Sequence, residues 1–96
     1  MSSEPIRESQ KDISAQDDFV IMRLLKESFN VSISGGPWVG TVTLQRSFDG
    51  QNWVDVETFT ANTERIGDDI EKGMHYRLGF KVGEYTSGTA TVRLSQ

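Results

Sequence analysis

One histidine, His75, and one acidic run, Asp68-Asp69-Ile70-Glu71, carry the side chains whose chemistry could be catalytic or metal-binding. A lone histidine works as a general base only beside a nucleophile or an orienting carboxylate. No such arrangement surrounds His75, which falls on the polar face of a segment that alternates from Met74 to Val82. A surface histidine is the expectation. Carboxylates grouped in a loop can bind calcium. Here the spaced Asp/Asn pattern of a calcium loop is missing and Ile70 interrupts the run, so a solvated turn is expected, with a weak cation site as the alternative. Asp17, Asp18 and Glu57 add no better constellation, and no glycosidase-type pair of carboxylates can be picked out. Gly35-Gly36 lacks the lysine and helix of a phosphate-binding loop. The expectation is a non-enzymatic chain with no catalytic residues, cofactor or metal.

The aromatic residues offer a different chemistry. Trp38, Trp53 and Tyr85 could form a platform for sugar rings. Trp53 stands where a sandwich places its core tryptophan, and its large apolar area predicts burial. Trp38 lies between Pro37 and Val39, behind Gly35-Gly36. It is predicted to be exposed, and Trp38 and Val39 are candidate partner contacts.

These side chains must be positioned by a small scaffold. The chain has 96 residues, 35% of them hydrophobic, which suits one domain with a modest core. A net charge of −4 argues against a nucleic-acid surface. Cysteine is absent, so disulfides and cysteine-based metal sites are excluded. No apolar stretch is long enough to span a bilayer, and residues 1–7 lack the pattern of a secretory signal. Folding in a cytoplasm is expected. A small all-β domain without disulfides often gains stability by oligomerising or docking.

Residues 1–18 differ in composition from the rest, with Met1, Ile6, Ile13 and Ala15 as their apolar residues besides Pro5. An extended or flexible N-terminal arm is expected there, with Ile6 and Ile13 as partner anchors. Residues 19–96 read as the folded domain. Phe19 to Leu25 suits a strand, with a short helix as the competing reading. Phe29 to Ser34 alternates strictly, and Gly35-Gly36-Pro37 is expected to end that strand. Gly40 to Val56 reads as a hairpin: Val42 and Leu44 share a face, Asp49-Gly50 turns the chain, and Val54 and Val56 follow. A short strand is expected over 63–66. Met74 to Val82 alternates, Gly83 to Gly88 reads as a loop, and Thr89 to Leu94 closes the chain. Six to eight short strands with turns about every ten residues predict an all-β antiparallel β-sandwich, with a small barrel as rival.

Gly73-Met74-His75-Tyr76-Arg77, followed by an alternating strand, resembles the tyrosine-bearing strand of immunoglobulin and fibronectin type III sandwiches. A broader resemblance runs from Gly40 to Gln96. It is carried by the segments 40–50, Trp53-Val54-Asp55-Val56, Thr60-Ala61-Asn62-Thr63-Glu64, Tyr76-Arg77-Leu78-Gly79 and Tyr85 to Gln96. These look like small structural proteins of tailed bacteriophages. The resemblance implies an immunoglobulin-like sandwich acting as a capsid decoration (cement) protein that stabilises the head shell. It implies the major capsid protein as partner, a homo-oligomer with a trimer favoured, and a place on the virion surface after assembly in the host cytoplasm. No nucleic-acid or membrane partner is expected. The alternatives are a tail or head-to-tail connector component, or an immunoglobulin-like module that recognises a host-surface glycan.

Overall fold

A computed structural model gives the architecture and describes residues 7–96. Six strands follow in chain order: β1 (Glu8–Ile13), β2 (Asp18–Arg23), β3 (Ser28–Ser47), β4 (Val54–Phe59), β5 (Thr63–Asp68) and β6 (His75–Ser95). All pairings are antiparallel. The fold is all-β and sandwich-like, as the alternation of the sequence predicts.

Two long strands organise the rest. β3 and β6 pair along nearly their whole length, from Asn30 opposite Ser95 to Ser47 opposite His75. Register irregularities interrupt them at Gly35/Trp38, Val39/Gly40 and Gly40/Val42. Such bulges let a strand leave one layer and enter another. Residues 28–33 of β3 pair with β5 on one side, and residues 30–35 pair with residues 90–95 of β6 on the other. That part of β6 also pairs with β1. The first layer therefore runs β5-β3-β6-β1. Residues 42–46 of β3 pair with β4, and residues 75–80 of β6 pair with β2. The second layer runs β4-β3-β6-β2.

Counting each half of β3 and β6 separately gives eight segments in two four-stranded layers. Each connection between consecutive shorter strands crosses from one layer to the other. This strand order is that of a jelly roll. It differs from the four-against-three arrangement of immunoglobulin constant domains, because two strands here serve both layers. It also explains two local differences from expectation. The Gly35-Gly36-Pro37 segment does not end its strand, and residues 83–88 are not a free loop. Both are corners of continuous strands. At Gly88 φ is +84°, and an added Cβ would sit 2.1 Å from the Pro37 carbonyl oxygen. The two backbones touch there, which only glycine permits.

The inner faces meet in one core. Phe29, Val31 and Ile33 alternate inward from β3, as do Ala90, Val92 and Leu94 from β6. Val42, Leu44, Tyr76, Leu78 and Phe80 oppose them from the second layer. Phe29 and Tyr76 join the layers, with ring centroids 4.5 Å apart. Val20 and Met22 add the inward positions of β2, while Ile21 between them faces out.

The N-terminal boundary moves. The sequence predicts an arm over 1–18, yet Glu8–Ile13 is a strand lying along β6, with Glu8 opposite Ser95 and Ile13 opposite Ala90. Ile13 is 0% exposed and belongs to the core. Its neighbours are polar because β1 is an edge strand with only its inner face covered, so composition alone reads as an arm. Ile6 lies outside the described residues.

Candidate docking surface

The predicted site residues do not converge. Ile13 is a core residue and cannot anchor a partner in the folded domain. Trp38 is half-buried rather than exposed. Its indole N–H donates to Asn62 Oδ1 at 2.8 Å, and its ring meets Phe80 edge-on with centroids 5.8 Å apart. Tyr85 packs on the other side of that contact, 5.1 Å from Phe80, and its hydroxyl donates to the Gly88 carbonyl. These two aromatics fill the corner of the sandwich. Val39 stays exposed beside them.

Trp53 is not the core tryptophan. It is half-buried on the outer face of the second layer, where the Arg77 guanidinium lies 4.5 Å above its ring and 4.0 Å above Phe19. Arg77 Nε donates to Gln45 Oε1 at 2.6 Å, and Gln45 Nε2 donates to Asp55 Oδ1 at 2.8 Å. Lys81 completes the group by pairing with Asp55 at 2.7 Å. Burial lowers the Arg77 pKa, opposed by Asp17 and Asp55. This cluster covers the outer face so well that Gln45 and Thr43 are buried there. The three candidate sugar-binding aromatics are thus split between two structural roles.

The acidic run is not a simple solvated turn. Asp69 is buried and accepts from Arg46 Nε at 2.6 Å, Arg46 Nη2 at 3.3 Å and the Tyr76 hydroxyl at 2.8 Å. It also accepts from the Glu71 amide at 2.9 Å. The Arg46 hydrogen bond, more than burial opposes it, holds the Asp69 pKa down at about 2. Desolvation, with Asp69 as acceptor, pushes Tyr76 up to about 12. Every Asp69 acceptor is thereby committed to protein donors. Asp68 is likewise occupied, by the Ser28 hydroxyl. Among the described residues no group of His, Asp and Glu could hold a metal ion.

The Asp69 network fixes the connection between β5 and β6. Asp69 N–H donates to the Glu27 carbonyl, Gly73 N–H to Leu24, and Leu24 N–H to Met74. Ile70, one residue beyond the anchored Asp69, is 90% exposed. Arg46 stands across from Val54 in the β3–β4 pair. A groove of about 210 Å³ there is lined by Arg46, Ser47, Phe48, Asn52, Val54, Val56 and Met74. Phe48 is 74% exposed and Val54 68% exposed.

The Phe48 turn is held firmly. Asp49 accepts from the amides of Gln51 and Asn52, from Asn52 Nδ2 and from the Ser47 hydroxyl. Those bonds depress its pKa, the backbone ones most. The Asp49-Gly50 turn was therefore legible, but the exposure of Phe48 beside it was not. Val54 and Val56 read as ordinary strand residues until β4 is seen to be the edge of its layer. For Ile70 a signal existed: an apolar side chain inside an acidic run.

Among the described residues nine large apolar side chains are exposed: Ile21, Leu25, Val39, Phe48, Val54, Val56, Ile66, Ile70 and Val82. Phe48, Val54 and Val56 line the groove, Ile70 projects from the pinned connection, and Ile66 lies on β5. β4 and β5 are the neighbouring edges of the two layers, bridged by an Arg65–Glu57 ion pair. The opposite side, formed by β1 and β2, exposes Ile21 and carries the ion pairs and polar bonds Lys11–Asp18, Glu8–Arg93 and Asp12–Thr91. Chemically the β4–β5 side can bury apolar surface against a partner. No family model, no curated protein and no solved structure matches this chain.

Proposed function

We propose that the chain is a non-enzymatic structural protein of a tailed-bacteriophage virion, of the decoration type that binds and stabilises the head shell. The observation that carries the reading is the concentration of exposed apolar side chains on the β4–β5 side, around the groove of Phe48, Val54 and Val56. Exposed apolar surface gathered around one groove supports a docking module. Jelly rolls occur in capsid proteins and in lectins, so strand order supports either role and decides neither. The resemblance of residues 40–96 to phage structural proteins adds the virion setting, with the major capsid protein as partner and a trimer as the form in which weak single contacts become firm attachment. The lectin-like alternative is less favoured, because Trp38, Trp53 and Tyr85 are engaged within the fold.

Co-sedimentation of the purified protein with phage heads lacking decoration tests the reading. Binding that raises the heat resistance of the heads is expected. Failure to bind heads, or negative-stain density of labelled protein on the tail, overturns the shell role.

A further inference from the structure

The edge strands of the two layers are not equally guarded against a further strand. β4 is bulged between Leu44 and Gln45, which resists pairing. Every exposed side chain of β1 is charged or polar. β5, joined to a copy of itself about its exposed Ile66, would set Glu64 against Asp68 of the other copy, both acids. β2 lacks these devices. Its six residues pair with β6 in unbroken register, none is proline, glycine or lysine, and Ile21 near its middle is 55% exposed. The hydrogen bonds show which backbone groups point outward. Leu24 N–H donates to the Met74 carbonyl and Asp17 N–H to the Phe80 carbonyl, at the two ends of the β2–β6 ladder. Bonding alternates along an antiparallel pair, so the backbones of Asp18, Val20 and Met22 bond to β6. Phe19, Ile21 and Arg23 turn their N–H and C=O groups to the outer edge. Arg7 Nη1 holds the Arg23 carbonyl there, at 2.9 Å. The amides and carbonyls of Phe19 and Ile21 are left for another strand.

We infer that β2 of a second copy of this chain fills the edge, antiparallel about a two-fold axis at Val20. Charge selects the occupant. Asp17 opens the strand and Arg23 ends it, and both side chains are exposed. Neither has an ion-pair partner among the described residues. The Arg77 guanidinium feels Asp17 from beyond ion-pair distance, and Arg23 Nε donates to the Gly73 carbonyl rather than to an acid. An axis at Val20 sets Asp17 of each copy against Arg23 of the other and Phe19 against Ile21, so opposite charges and apolar side chains meet together. Phe19 of each copy then exchanges both backbone bonds with Ile21 of the other. The next register, about Ile21, would need the Arg23 carbonyl that Arg7 already holds, and would oppose Phe19 to Arg23. A shift by one residue would turn the inner face of one copy outward. The contact is isologous and closed, and it leaves both β4–β5 sides free. A trimer needs a separate, head-to-tail contact.

This pairing goes beyond the docking role and does not rest on it. Sedimentation equilibrium of the full chain is the first measurement, with self-association expected between about 10 µM and 1 mM, as suits a small edge contact. Hydrogen exchange locates the contact. The Phe19 and Ile21 amides are expected to exchange quickly in dilute protein and at least about tenfold more slowly in concentrated protein, while those of Val20 and Met22 stay protected in both. Ile21→Lys places on the edge the charge that guards natural edge strands, and is expected to abolish association with an unchanged circular dichroism spectrum. Asp17→Asn removes the charge but keeps a residue type that tolerates φ of +58°, and is expected to weaken association several-fold. A chain still monomeric at about 1 mM, or association whose protected amides lie on β1, β4 or β5, overturns the inference. So does association that Ile21→Lys leaves intact. Head binding by a monomer defeats only this inference; a β2-paired dimer that does not bind heads defeats only the shell role.

Discussion

Arg46 holds Asp69 through two nitrogens, Nε to Oδ2 at 2.6 Å and Nη2 to Oδ1 at 3.3 Å. The pair fastens the β5–β6 connection to the middle of the second layer, and the Tyr76 hydroxyl seals it from the core side. Asp69→Asn leaves Arg46 with Glu71 as its carboxylate, 3.3 Å from Nη2, and is expected to cost about 1–2 kcal/mol. The pH dependence has a definite sign. Asp69 titrates at about 2 when folded, below its ordinary value of 3.8. Its contribution is complete above the unfolded pKa and is lost as pH falls toward the folded one. The stability gap between wild type and Asp69→Asn should therefore be constant near neutrality and close between about pH 4 and 2. Urea unfolding of both proteins across that range measures it. A gap that stays constant down to pH 2 would show that the carboxylate is not the stabilising group.

Ile13 decides what the N-terminal region is. If Glu8–Ile13 belongs to the sandwich, as its pairing with β6 indicates, Ile13→Ala opens a cavity between the layers. The expected loss is about 3 kcal/mol. Ser9→Ala, on the same strand, is expected to stay within about 0.5 kcal/mol. Removal of residues 1–13 should lower Tm as well, since it bares the edge of β6. Thermal unfolding followed by circular dichroism gives all three values, and an Ile13→Ala variant as stable as Ser9→Ala would return Ile13 to an arm.

The contrast between Ile13 and Phe29 shows which parts of the fold can be read from residue order. Phe29, Val31 and Ile33 alternate with polar residues, and so do Met74 to Phe80, because each of these strands has one covered face. Their inward faces follow directly from sequence. β1 offers one fully buried apolar residue in six, too few for a period to emerge. Corners were harder. A glycine-rich stretch reads as a break, and nothing local tells a break from a bend that keeps its partner strand. Trp53 illustrates a further limit: size predicts burial, but here an arginine rather than a core covers its ring. The docking groove was least legible, since Val54 is exposed because β4 is the edge of its layer among the described residues.

The Arg77 stack is open to a direct test. Its guanidinium lies between Phe19 and Trp53 and donates to Gln45. Lysine keeps the charge but loses the planar stack and the Nε bond. Arg77→Lys is expected to destabilise by about 1–2 kcal/mol. In a Trp38→Phe background, emission from Trp53 should shift to the red as its ring gains water. An unchanged spectrum would show that Arg77 does not cover Trp53 in solution.

The bend of β6 rests on backbone approach, and two of its glycines separate the causes. Gly83 and Gly88 share nearly the same φ, +83° and +84°. Around Gly83 an added Cβ would meet nothing within 4 Å. At Gly88 it would lie 2.1 Å from Pro37 O and 2.6 Å from Trp38 Cα. Gly83→Ala therefore bears only the cost of a left-handed residue, about 1–2 kcal/mol. Gly88→Ala bears the same cost and must also push β3 away from β6, which raises the expected loss to at least about 3 kcal/mol. Displacing β3 there moves Trp38, so the bond from its indole to Asn62 should weaken and the indole proton should exchange faster in Gly88→Ala alone. Chemical denaturation and hydrogen exchange on the two variants check the order. Equal losses at both positions would mean that φ strain, and not the contact between the two long strands, holds the corner.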